Sequence, residues 1–204
     1  MSYTNPCQHG REIRDGHLGG TCLGGDPDSY FPELWDWLIS KFQVEHVLDV
    51  GCGLGYAMQF FDKRDIPTIG IEGCAEVLSH HLLPDRVLCH DYTKGRYQLG
   101  GLCWDLVWCC EFAEHIEARF ENYFLDDLAE AAGKVLAFCA APPGAGGHHH
   151  VNCQGADYWI ARLEGRGLRH EPELTQEARS FALPGTCGRA ASYFHRSGLL
   201  FTSP

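Results

Sequence analysis

The chain has 204 residues, 45% hydrophobic and 21% charged, which are the proportions of one ordinary globular domain with enough apolar material for a core. Sixteen Lys and Arg against 27 Asp and Glu leave a formal net charge of −11. Such a surface repels phosphate backbones, which argues against a nucleic-acid partner and favours neutral or cationic substrates.

The first ten residues are polar, with no basic segment ahead of an apolar run, so they do not read as a signal peptide. No apolar run approaches the length needed to cross a bilayer. A cytoplasmic protein with no membrane partner is therefore expected. The eleven cysteines are odd in number and contain no Cys-x-x-Cys pair. Cys89, Cys109, Cys110 and Cys139 lie in apolar runs and read as reduced, buried thiols acting as small hydrophobes. Neither a disulfide framework nor a cysteine-rich zinc site is expected.

Residues 1–25 are glycine-rich and read as an irregular arm, with Cys7, Gln8 and His9 in a disordered terminus. Phe31, Leu34, Trp35, Leu38, Ile39 and Phe42 recur at helical spacing. They predict an amphipathic helix over 30–42, opened near Asp26 or Ser29, with Trp35 buried and Trp37 at the surface. Short apolar runs at 44–50, 67–72, 86–90, 104–110 and 134–140 predict strands. Segments 56–62, 74–82, 114–131 and 157–164 predict helices between and after them. Within 114–131, Ile116, Phe120, Phe124 and Leu128 recur every four residues. Tyr158, Trp159 and Ile160 would pack the last helix on the sheet. Residues 192–196 and 199–202 read as β-like, and 142–154 and 172–190 as irregular.

Alternating strands and helices imply βαβ units: a doubly wound, mainly parallel α/β sheet in one domain. The arm and first helix occupy 1–43, and the main domain 44–204.

Asp49-Val50-Gly51-Cys52-Gly53-Leu54-Gly55 follows the first strand and precedes a helix. Glycines there permit a tight turn and close approach of a ligand beyond the strand ends. The Gly-x-Gly-x-Gly spacing differs from the dinucleotide fingerprint. The acidic Asp49 suits a cationic ligand better than a phosphate. Glu72, about twenty residues on at the end of the second strand, stands where an acidic residue takes ribose hydroxyls, and Gly73 follows it. Past the third strand come Asp91, placed to bond an adenine amino group, and Tyr92, which can offer a ring face.

These residues resemble the class I S-adenosylmethionine (SAM)-dependent methyltransferases. The likeness covers about residues 44–170: Leu48 to Gly55 look like the first motif, Gly70 to Gly73 like the ribose-binding strand end, and Asp105 to Glu111 like the fourth strand. The resemblance implies a Rossmann-like sheet of seven strands with an antiparallel last strand near 192–202. It also implies SAM as cofactor, bound by Asp49, Gly51, Cys52, Gly53, Gly55, Glu72, Gly73, Asp91 and Tyr92, and in-line transfer of its methyl group. In such proteins an N-terminal segment often covers the cofactor or shapes the acceptor pocket.

Glu111-Phe112-Ala113-Glu114-His115 follows the fourth strand, and Gly147-His148-His149-His150 follows the fifth, across the same cleft. Carboxylates and imidazoles together suit a divalent ion with mixed O and N ligands, Mn, Fe, Co or Zn ahead of Mg. Glu-x-x-Glu-His looks like the metal-binding motif of small-RNA 2′-O-methyltransferases and ubiquinone-pathway O-methyltransferases, where in the RNA enzymes a later His completes the site. That likeness implies a metal at Glu111, Glu114, His115 and His150. In the alternative, Glu111 faces the cofactor, Glu114 favours a helix start and His115 bonds locally. His149, His150 or Glu111 could act as base without metal.

The leading expectation is therefore methyl transfer from SAM to an oxygen of a small-molecule acceptor. N- or S-methylation without metal, and a non-catalytic SAM-binding scaffold or sensor, stand as alternatives. Which of His148, His149 and His150 acts, the acceptor itself and the oligomeric state are not legible at this level.

Overall fold

A computed structural model describes residues 11–182 and 192–203. The expectation for Cys7, Gln8 and His9, and that for residues 183–190, fall outside the described residues.

Seven strands form one sheet: β1 (Val47–Val50), β2 (Thr68–Glu72), β3 (Val87–Cys89), β4 (Trp104–Cys110), β5 (Ala132–Cys139), β6 (Arg169–His170) and β7 (Leu199–Thr202). Their order is β3-β2-β1-β4-β5-β7-β6. β1 to β5 run parallel, and β7 pairs antiparallel with β5 on one side and β6 on the other. Strand order reverses between β1 and β4, and doubly wound sheets bind ligands at that switch point, beyond the strands' carboxyl ends.

Seven helices accompany the sheet: α1 (Pro32–Phe42), α2 (Tyr56–Asp62), α3 (Ala75–Leu78), α4 (Glu121–Ala131), α5 (Ala156–Glu164), α6 (Pro172–Phe181) and α7 (Tyr193–Ser197). Successive strand residues point to opposite faces, and the core divides accordingly. Leu48, Val107, Leu136, Phe138 and Phe201 pack with Phe124, Leu128, Trp159 and Leu163 of α4 and α5. Val47, Leu106, Trp108, Val135, Ala137 and Leu200 pack with Trp35, Phe60, Phe61 and Phe194 on the other face. Trp35 is wholly buried and Trp37 partly so, Trp37 donating to Glu177 of α6.

Five local readings are corrected. The helix expected over 114–131 starts only at Glu121; before it lies a tight turn, Ala113–His115, which Ile116 ends in an extended conformation. Ile116, Phe124 and Leu128 still share one cluster, so their spacing reported a common sheet face rather than one continuous helix. The expected 74–82 helix stops at Leu78, because Leu82 N–H donates to the Leu54 carbonyl and draws the chain back to the glycine loop. Residues 193–197 form α7, capped by Ser192, and 172–181 form α6, opened by Pro172. Cys89 is exposed because β3 is an edge strand, whereas Cys109 and Cys139 are buried and Cys110 half-buried.

The arm is ordered where described. Ile13 N–H donates to the Thr21 carbonyl, Gly20 N–H to that of Ile13 and Leu23 N–H to that of Arg11, at 2.8–3.0 Å. Ile13, Leu18 and Leu23 then pack on Leu54, Cys74, Val77 and Tyr56. This folds residues 11–25 over the switch point. No helix among the described residues is long and apolar enough to cross a membrane.

Candidate functional site

A cavity of about 590 Å³ opens over the ends of β1 and β4, roofed by the arm. One half is built by the β1–α2 turn. Gly53 has φ +54°, and a side chain there would have only Thr21 of the arm near it, at 3.8 Å, so the backbone lies open to a ligand. Gly55 has φ +82°, and a Cβ would meet the His81 ring at 2.4 Å. Gly51 and Gly73 also line this half.

Glu72 is held by two amides: Gly53 N–H donates to Oε2 at 3.0 Å and Cys74 N–H to Oε1 at 2.9 Å. Asp49 lies one strand away and is buried, its carboxyl pushed up to about 8 by burial and then by the nearby Glu72. Burial raises Glu72 as well, against the amide bonds. Two carboxyl groups thus face a cavity with too little positive charge to neutralise them.

The remaining predicted cofactor residues take less direct places. The Cys52 thiol is packed behind the loop, 3.6 Å from His81 Nε2. His81 Nδ1 accepts from Leu83 N–H, which assigns the ring hydrogen to Nε2 and aims it at that sulfur. Asp91 caps the turn Tyr92–Lys94 and accepts from Thr93 N–H at 2.8 Å, from the Thr93 hydroxyl at 2.7 Å and from His17 at 3.1 Å. Burial raises its carboxyl, but these partners hold it below the usual range. Its carboxylate is therefore engaged with its own turn and the arm. The Tyr92 ring lines the cavity, wedged against Phe112, Phe124 and His90.

The other half carries the candidate metal ligands. Glu114 is fully buried, and neither carboxylate oxygen meets a partner in hydrogen-bond geometry. Burial, then the facing Glu111, raises its carboxyl well above the usual range. The His115 and His150 rings meet edge to face, 4.9 Å apart, and Nδ1 of each is buried without a partner. His115 is pushed down to about 4 by burial and then by the neighbouring His150 and His148, so its imidazole is neutral and able to ligate. Ligand atoms of Glu114, His115 and His150 lie within 4.8 Å of one another.

The histidine loop is fixed from outside. Val151 and Asn152 N–H donate to the Glu114 carbonyl at 2.9 and 3.1 Å. The Asn152 amide donates at 2.9 Å to buried Glu121, which also receives Tyr158 O–H at 2.5 Å and Arg162 at 2.8 Å. The three histidines then divide. His150 joins His115 and Glu114. His148 lies 2.7 Å from the Gly16 carbonyl, tying loop to arm. His149, at φ +49°, turns its ring towards His17 and is absent from the cavity wall.

Glu111, at φ +54°, places a carboxylate oxygen within 4.8 Å of the Cys110 and Cys139 sulfurs while also facing Glu114. Sequence reasoning missed His81, Glu121 and the wall of Asp26, Asp28, Tyr193 and Arg196. No local pattern marks them, because each meets the site through a contact distant in sequence.

No protein-family model and no curated protein sequence matches the chain. Among solved structures it is similar to a SAM-dependent methyltransferase from Archaeoglobus fulgidus, at 15% identity and TM-score 0.62 over 89% of this chain and 96% of that one. It is also similar to the magnesium protoporphyrin IX methyltransferase of Synechocystis, solved with bound SAM: 17% identity, TM-score 0.57, 87% and 79% coverage. A third is the cyclase SpnF, at 15% identity and TM-score 0.57 over 85% and 81%. The fold is that of the class I methyltransferases, and it also carries a different reaction in the third of these proteins.

Proposed function

We propose that this chain is a SAM-dependent methyltransferase acting on an oxygen of a small-molecule acceptor, assisted by a divalent ion. The observation that carries the cofactor half is the bond from Gly53 N–H to Glu72, beside the buried and uncompensated Asp49. An open glycine backbone and two carboxyl groups in one cavity fit a ligand that bears hydroxyls and positive charge. When bound, SAM supplies a methyl group on a sulfonium, which leaves as the methyl of the acceptor while the sulfur becomes a neutral thioether. The glycine loop would hold the cofactor, Glu72 its ribose and Asp49 its positive charge. The arm roofs the cavity and would limit the access of water.

The residues at the other end fit a divalent ion. Four unpartnered buried atoms, two on Glu114 and one each on His115 and His150, form a donor set of mixed O and N character. Those residues would hold the ion, which would lower the pKa of an acceptor hydroxyl and orient it. Glu111 lines the same cavity, where its carboxylate could receive the acceptor's proton.

The test is calorimetric binding of SAM to wild type and Glu72→Ala, paired with Mn²⁺ and Zn²⁺ content of wild type and Glu114→Gln. The proposal expects SAM binding weakened at least tenfold by Glu72→Ala, and near-stoichiometric metal lost with Glu114→Gln. Failure of wild type to bind SAM would remove the whole reading. SAM binding without metal would leave transfer to an amine, thiol or unactivated hydroxyl, to be separated with an acceptor panel of those three classes.

A further inference from the structure

β4 and β5 are paired in parallel with Cys110 opposite Cys139. Directly paired residues of neighbouring strands project their side chains from the same face of the sheet, so the two thiols stand side by side at the cleft floor. Glu111 N–H donates to the Cys139 carbonyl, and the residue's left-handed backbone turns its carboxylate back over the sulfurs. Cys139 Sγ donates to Glu111 Oε1 at 3.3 Å and lies 3.3 Å from Ser197 Oγ. One sulfur from each cysteine and one oxygen of Glu111 fall within 4.8 Å of one another. Cys110, Glu111 and Ser197 line the cavity, which gives an ion a route in.

We infer that Cys110, Cys139 and Glu111 form a second cation site, selective for a thiophilic ion such as Zn²⁺, next to the mixed site at Glu114, His115 and His150. Two sulfurs and one carboxylate are a zinc donor set with an open fourth position, and thiolate ligands select zinc over magnesium or manganese. Ligand atoms around tetrahedral zinc stand roughly 3.5–3.8 Å apart, which side-chain rotation reaches from the present separation. Binding displaces the two thiol protons to solvent, with no change of oxidation state. Glu111, first grouped with Glu114 by sequence spacing, supplies the carboxylate of this thiol site and also faces Glu114. The inference stands independently of methyl transfer.

The test is titration of the reduced, metal-free full chain with Cd²⁺, read by the sulfur-to-cadmium charge-transfer band in the ultraviolet. A Cys89→Ser, Cys103→Ser background removes the two described thiols that are exposed. Adding Cys110→Ser and Cys139→Ser is expected to abolish one saturable equivalent of the band. Glu111→Gln is expected to weaken Cd²⁺ binding about tenfold, and Glu114→Gln to leave the band within twofold. Should the Cys139 variant not fold, Cys110→Ser alone, at a half-buried position, is expected to halve the band. A band unchanged by the Cys110 and Cys139 replacements, or absent from the background protein, overturns the site. Loss of SAM binding in any variant has no bearing on that outcome.

Discussion

Replacing Asp49 by Asn tests whether the cavity holds a carboxyl that only a cationic ligand satisfies. In the folded chain that carboxyl sits at about 8, against 3.8 for a free carboxyl, chiefly through burial and secondarily through Glu72. At about 1.4 kcal/mol per pKa step, the difference amounts to at most about 6 kcal/mol between the folded and unfolded chains. The sign follows from proton counts. Between about pH 4 and pH 8 the folded chain keeps a proton that the unfolded chain has released, so the contribution of this group to stability is full below pH 4. It falls as pH rises and is lost above about 8. An amide of the same shape does not titrate. Thermal unfolding without cofactor from pH 5 to pH 9 is therefore expected to show the variant progressively more stable than wild type as pH rises. Half of the upper bound, about 3 kcal/mol, corresponds to roughly 6–12 °C in Tm for a domain of this size. The same replacement is expected to weaken SAM binding about 10–100-fold, the scale of a lost hydrogen bond to a charged group. Wild-type affinity should rise with pH up to about 8 as the carboxyl ionises. Parallel pH–stability curves for the two proteins, or a variant less stable at pH 9, would refute the reasoning.

Gly53→Ala and Gly55→Ala separate ligand approach from loop packing. The first places a methyl in open cavity, so calorimetry should show SAM affinity reduced at least tenfold, with a stability loss of only about 1 kcal/mol from the left-handed backbone. The second drives a methyl into the His81 ring, and denaturant unfolding should show a loss of about 2 kcal/mol or more. Glu121→Gln leaves Arg162 and the Asn152 amide without their buried acceptor charge; a stability loss of roughly 2–4 kcal/mol is expected, with weaker metal retention because Asn152 anchors the His150 loop. An unchanged midpoint in urea would show that the network does not hold that loop.

Periodicity identified β1, α2, β4 and α5 with bounds within a few residues, because each buries its side chains against neighbours of one regular pattern. The glycine turn and Glu72 were equally legible, since a strand followed by Gly-x-Gly-x-Gly specifies both the backbone geometry and its place at a strand end. The triple histidine left open which of its rings faces the cavity. Backbone direction decides that: φ +49° at His149 turns one ring away, while the Glu114 carbonyl fixes the chain just after His150.

Composition, strand-and-helix alternation and the turn chemistry after β1 are local properties, so the sequence by itself determined a doubly wound domain with a ligand cleft over the first strand. The pairing of Cys110 with Cys139, the placing of Glu111 beside those thiols, and the clasp of His17 on Asp91 join residues from 28 to 74 positions apart. Only the register of the sheet and the closure of the arm decided them, because such distances are set by which strands pair and not by any repeat along the chain.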